Sequence, residues 1–99
     1  MKSIIQKDRD RCFLCGRRGT SVDPLDEHHV FFGPSRKKSE KYGLKVYLHH
    51  NSCHIFGKEA VHNNAENCRI IQKIAQEVAM EYYGITVEEF IEIFGGNYV

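Results

Sequence analysis

No stretch of eighteen apolar residues occurs in this chain, so nothing in it is long enough to span a bilayer as a helix. The opening Met1-Lys2-Ser3-Ile4-Ile5-Gln6-Lys7-Asp8 lacks the apolar core of a secretory signal. A cytoplasmic protein, with no membrane partner, is the expectation. Neither charge sign is in excess: formal net charge is +1, so any nucleic-acid contact must come from a local patch. No internal repeat or low-complexity segment is present either. Ninety-nine residues make one domain, and a chain this short buries only about 60–65% of its unfolded surface. Its core is therefore marginal, and a bound structural metal would add what the core lacks. Hydrophobic content of 41% and charged content of 27% are ordinary for a globular protein.

What the chain does have is concentrated. All six histidines fall between Asp26 and Asn63. They lie in Glu27-His28-His29-Val30-Phe31-Phe32-Gly33, in His49-His50-Asn51-Ser52-Cys53-His54 and in Val61-His62-Asn63. In a reducing compartment, four cysteines beside six histidines point to metal ligation before disulfides. Cys12, Cys15, His50 and Cys53 form C-x-x-C joined to H-x-x-C, the four N/S ligands that tetrahedral structural zinc requires. His49 competes with His50 for the third place. Gly16 permits the tight turn that points backbone N–H groups at the thiolates. A redox pair is the other use of C-x-x-C, but no βαβ pattern surrounds this one. Cys68 is different: a lone cysteine on the apolar face of a helix reads as a small core hydrophobe.

Residues 1–11 read as a loosely held arm or a short helix. Pro24 excludes a helix before Asp26. Alternation over Asp26–Phe32 predicts a strand, with His28, Val30 and Phe32 on one face and His29 and Phe31 on the other. Gly33-Pro34-Ser35 ends it. A polar, basic loop runs to Gly43, and Leu44–His49 predicts a second strand, giving a hairpin. Asn51 or Ser52 can cap a short helix to about Ala60, although Gly57 lies within it. Ala65–Tyr83 carries apolar residues at three- and four-residue steps and ends at Gly84. Thr86 and Glu89 form a capping box for a last helix to about Phe94. The expected organisation is an arm (1–11), a zinc-braced core (12–63) and C-terminal helices (64–99), in the α+β class. Tyr82, Tyr83, Phe90 and Phe94 recur at helical spacing and read as core.

Two further groups carry chemistry. His28, His29, His54 and His62 can build a second metal site. Of two neighbours on a strand, one imidazole can ligate a divalent ion while the other acts as a general base. Arg36-Lys37-Lys38-Ser39-Glu40-Lys41, with Arg17 and Arg18 nearby, is a phosphate-contacting patch or simply a solvated loop.

Glu27-His28-His29, a long loop, a second strand and a knuckle ending Cys53-His54 together resemble the HNH nucleases of the His-Me finger (ββα-metal) group. The nearest likeness is to the small zinc-braced HNH proteins of bacteriophages. Phe31-Phe32-Gly33, Arg36 to Leu44, Glu59 to Asn63 and the tail Glu92 to Val99 are similar to that subgroup too. The resemblance implies a ββα-metal finger with a zinc knuckle and two C-terminal helices. It implies a metal-dependent DNA endonuclease that hydrolyses phosphodiester bonds with low sequence specificity. His29 would be the general base. His28, His54 and His62 would hold one divalent ion (Mg, Mn, Ni or Zn), and Arg36, Lys37, Lys38 and Lys41 would contact DNA. Other phage DNA-processing proteins would be partners. The chain departs from the pattern at the middle Asn, where it has Leu44-Lys45-Val46, so backbone carbonyls would have to orient the base. The alternative is an inactive zinc-braced DNA- or protein-binding module, an accessory to packaging or recombination.

Overall fold

The computed structural model describes residues 1–99 as a small α+β protein built on one two-stranded antiparallel sheet. β1 (Leu25–His29) pairs with β2 (Lys45–His49) in a register running from Leu25 opposite His49 to His29 opposite Lys45. The expected first strand reached Phe32; the observed one stops three residues earlier. After the Val30 N–H donates to the Leu44 carbonyl, the chain leaves the ladder. It enters a 3₁₀ turn at Gly33–Ser35, with Pro34 in the first turn, where its missing N–H costs nothing.

The basic segment is not an open loop. Arg36–Lys41 forms a short helix, α1. The cause is Ser39, which is wholly buried. Its hydroxyl accepts from the Phe31 N–H and donates to the Leu44 carbonyl, and its own carbonyl accepts from the Leu44 N–H. Three hydrogen bonds from one residue fasten α1 across the end of β1 and the start of β2.

The N-terminal arm forms no helix, yet it is held. The Ile4 N–H donates to the Gly43 carbonyl, Ser3 Oγ donates to the Lys45 carbonyl, and Gln6 Oε1 accepts from the Tyr47 N–H. The arm thus covers the outer edge of β2, which would otherwise present unpaired groups. All five residues of β2 are buried.

After β2 a single π-helical turn, His50–Ile55, replaces the longer helix expected to Ala60. Gly57 explains the stop. The N–H groups of Phe56 and Gly57 both return to the Asn51 carbonyl, and a Cβ on Gly57 would run into the Ser52 carbonyl. α2 (Ala65–Tyr83) and α3 (Val87–Phe94) then follow with the expected bounds. Asn64 caps α2 by accepting from the Asn67 N–H, Gly84 closes it in the left-handed conformation, and the Thr86–Glu89 capping box is formed. The core lies between the hairpin and these helices. Val30, Phe31, Val46 and Leu48 meet Ile71 and Phe90 there. The Phe31 ring packs at 4.9 Å on Phe94 and 5.0 Å on Tyr98. Cys68 packs against this core, half-buried. No helix is long and apolar enough to cross a membrane.

Candidate metal centres

The N-terminal knuckle turns back on itself at Gly16, whose φ of 77° suits glycine. The Gly16 N–H donates to the Cys12 carbonyl, and the Cys15 N–H points at Cys12 Sγ, 3.5 Å away. Across from this turn stand His49 and Cys53. His49 Nδ1 lies 3.3 Å from Cys15 Sγ and 3.9 Å from Cys53 Sγ. Zinc–sulfur bonds of about 2.3 Å and zinc–nitrogen bonds of about 2.0 Å give tetrahedral edges of about 3.5–3.8 Å, so these spacings already suit the ion. Cys12, Cys15, His49 and Cys53 could therefore hold a metal such as zinc.

His50, the sequence-based choice, is not in this cluster. The last residue of β2 is His49, and its side chain leaves the sheet on the knuckle side, while His50 turns toward Asp26. His49 is also set for the task by its other nitrogen: Nε2 lies 2.8 Å from the Arg18 carbonyl, which fixes the tautomer with Nδ1 free to ligate. Burial opposes protonation of His49, but the Arg18 carbonyl and the Cys12 thiolate outweigh it and raise its pKa. Burial likewise disfavours the Cys12 thiolate. The N–H groups of Cys15, His49 and Leu14 more than compensate, bringing Cys12 down to about 7. Burial, and then the ionised neighbour, push Cys53 up to about 12. One thiol is thus ready to ligate at neutral pH, and a bound cation would draw the others after it.

The second cluster forms where the other face of β1 meets the segment after β2. His28 Nδ1 lies 3.2 Å from His54 Nε2, which lies 3.2 Å from His62 Nε2. A tetrahedral ion with nitrogen ligands at about 2.0 Å needs edges of about 3.3 Å, and these three could hold one. His28 is 3% exposed; burial first, then His54, His62 and His29, push its pKa down to about 3. It stays neutral, with a lone pair to give. Burial and His54 lower His62 in the same direction. Asp26 completes the arrangement. Its Oδ2 accepts from Nδ1–H of His54 at 2.9 Å and from His50 Nδ1–H, so Nε2 of His54 is the unprotonated nitrogen facing the other two.

His29 occupies the opposite face of β1, as the pleat requires, and is 8% exposed. Its Nε2 stands 2.9 Å from Glu40 Oε1 and 3.9 Å from Glu27 Oε1. Lys45, its cross-strand partner, places Nζ 3.1 Å from Glu40 Oε2 and 3.4 Å from Glu27 Oε1. The N-terminal ammonium, His29 and Lys45 together hold the Glu40 carboxyl down at about 2. Although His28 and His29 leave opposite faces, both line one cleft of about 180 Å³ at the strand's end, with Glu27, Phe32, Arg36, His54 and His62.

The four basic residues expected to meet DNA separate. Arg36 reaches the histidine cleft. Lys38 Nζ instead donates to the Ile93 carbonyl at 2.7 Å, tying α1 to α3. Lys41 lies over the Tyr42 ring, and Lys37 is exposed. Sequence reasoning missed Asp26 and Glu40 as members of these groups, and left His49 as the competitor of His50 for the third zinc ligand. Asp26 was legible in part, because it sits two residues before His28 and so on the same face of the strand. Glu40 gave no signal inside a basic run. Comparison with protein-family models, curated proteins and solved structures finds no match.

Proposed function

We propose that this protein is a metal-dependent DNA endonuclease that hydrolyses phosphodiester bonds. The observation that carries the reading is the shared cleft. Three imidazole nitrogens spaced for one cation face it from one side, and a fourth, separately anchored imidazole faces it from the other. A hairpin followed by a turn that supplies His54 is also what a ββα-metal finger would need, with a single π-helical turn in place of its helix.

His28, His54 and His62 would hold one divalent cation, which when bound supplies Lewis-acid stabilisation of a phosphate and its leaving oxygen. His29 would take the proton from the attacking water, because it lines the cleft and stands outside the ligand set. Arg36 would hold a phosphate oxygen at the cleft, and Lys37 and Lys41 would contact flanking phosphates, positioning the strand without reading its bases. The Cys12–Cys15–His49–Cys53 site would hold structural zinc. It would keep Cys53, and with it His54, in place against β1. Low sequence preference would follow, because these contacts go to phosphates rather than to base edges.

The test is nicking of supercoiled plasmid by purified protein supplied with Mg²⁺, Mn²⁺, Ni²⁺ or Zn²⁺, beside His29→Ala. Metal-dependent nicking that His29→Ala lacks, with its zinc content unchanged, is the expected result. DNA bound but uncut under every metal would return the protein to the reading as a zinc-braced binding module.

A further inference from the structure

A basic helix is an unexpected place to find a buried imidazole's only close carboxylate partner. Glu40 is the one acidic residue of α1; half-exposed, it turns toward His29 and Lys45 while its neighbours Lys37 and Lys41 stay in solvent. Ser39 beside it is locked to both strands, so the backbone carrying Glu40 has little freedom to move. The carboxylate itself is fixed from three sides: the N-terminal ammonium donates to Oε2 at 2.8 Å. Lys45 Nζ contacts both of its oxygens, at 3.2 and 3.1 Å, and His29 Nε2 meets Oε1 at 2.9 Å.

Glu27, His29 and Glu40 could also be taken for a third cation site. Lys45 excludes that reading. Its ammonium lies within 3.4 Å of both carboxylates and Lys45 as a residue is 6% exposed, so the positive charge such a pocket would attract is already built in. The two carboxylates are not equivalent toward His29. Glu40 is at hydrogen-bond distance, while Glu27 at 3.9 Å is beyond it.

We propose that Glu40 is the positioning residue for His29, accepting the hydrogen bond from Nε2–H and so fixing the tautomer in which Nδ1 carries the lone pair. This rests on the hydrolytic reading of the cleft. It supplies, from α1, the orienting group that the chain lacks where the resemblance calls for an Asn. Backbone carbonyls are then not needed for the task. Proton balance is simple: Nδ1 takes one proton from the attacking water while Nε2–H stays with Glu40, which never becomes protonated. The N-terminal ammonium and Lys45 keep Glu40 ionised and aimed, so their effect on His29 is indirect. The basic run of the sequence thus serves two ends, with phosphate-facing cations outside and an imidazole anchor inside.

Two measurements test this on the zinc-loaded protein. Ring ¹⁵N spectra of histidine-labelled protein at pH 8 should find His29 as the Nε2–H tautomer, and a mixture of tautomers in Glu40→Ala. For plasmid nicking, Glu40→Ala should lower kcat about 10–100-fold with KM for DNA within about twofold, a part of the 10²–10⁴-fold worth of a general base. Glu40→Gln, whose amide oxygen can still accept from Nε2–H, should recover part of the rate and the single tautomer. It also retains side-chain volume should the alanine variant fold poorly. A purely structural role would lower the melting temperature in Glu40→Ala and leave the His29 tautomer as it was; that result overturns the proposal. So does His29 found as the Nδ1–H form in the parent. If the parent never nicks DNA yet its His29 is pinned and Glu40→Ala releases it, the anchor stands and the hydrolytic reading falls.

Discussion

Asp26 Oδ2 accepts from the Nδ1–H of His54 at 2.9 Å, and this one bond decides which nitrogen of His54 faces His28 and His62. Without it the imidazole could turn or change tautomer. Carboxylate partners of this kind commonly account for 10–100-fold in metal affinity. Asp26→Asn should therefore weaken binding of a second metal equivalent by about 10–100-fold, as read by calorimetric titration of Mn²⁺ or Ni²⁺. The structural zinc should remain at one equivalent. Unchanged second-metal affinity would mean that His54 is oriented by packing alone.

The two neighbouring histidines at the end of β2 separate cleanly. His49→Ser removes one of four candidate ligands, and in a domain this small the forfeited metal-binding free energy exceeds the few kcal/mol of net stability. It should yield zinc-poor, largely unfolded protein. His50→Ser should keep its zinc and melt cooperatively, because His50 only shares Asp26. Zinc content by plasma emission spectroscopy settles the assignment, and equal loss in both variants would refute it.

Burial gives His28 a pH signature. Its pKa falls from 6.5 to about 3 on folding, so the unfolded chain takes the proton first. The stabilisation is complete above about pH 6.5 and is lost as pH falls toward 3. Between pH 7.5 and 5.5 the loss should be about 1.4 kcal/mol. Urea melts of protein carrying only the structural zinc, with His28→Gln subtracted, should recover that difference. A pH-independent difference would place His28 in a wetter environment than the fold gives it.

Gln76 is fully buried, with Nε2 donating to Asn97 Oδ1 at 2.9 Å and Oε1 accepting from the Tyr98 N–H at 2.6 Å. It pins the tail after α3 to the middle of α2, and Tyr98 in turn packs on Phe31. Gln76→Ala strands the Tyr98 N–H and should cost about 1–3 kcal/mol. Faster exchange of the Tyr98 amide should accompany the loss.

For DNA affinity, Arg36, Lys37 and Lys41 replaced together by Ala should flatten the salt dependence by up to about 2.7 log units per log unit of salt, about 0.9 for each phosphate no longer neutralised. Lys38→Ala should leave that slope alone and instead lower stability, since its ammonium is spent on the Ile93 carbonyl. A drop in slope for Lys38→Ala would mean that this bond opens when DNA arrives.

The parts of the fold legible in the sequence were those governed by local rules. α2, its Gly84 stop and the Thr86–Glu89 box follow from periodicity and capping, which act within four residues. The alternation of His28 and His29 follows from the pleat. What could not be read was settled by tertiary packing. His49 and His50 both fit the spacing to Cys53, and only the end of β2 beside the knuckle chose between them. α1 looked like an open loop because its stability comes from Ser39, a small residue whose three bonds reach Phe31 and Leu44. Gly57 hinted that the helix after β2 would be short; the crowding at the Ser52 carbonyl is what ended it.

His28 and His29, His49 and His50, and Cys53 and His54 are three adjacent pairs, and in each the two members serve different surroundings. The segment therefore behaves like a frame-dependent code. Losing a single residue between Val46 and Cys53 would not merely weaken one cluster; it would present an imidazole where a thiolate belongs and reverse the facing of its neighbour. Change of length should be tolerated only where neither cluster counts positions, as in the exposed stretch at residues 7–10, ahead of Cys12. The stretch from β2 to His54 should accept substitution far more readily than insertion.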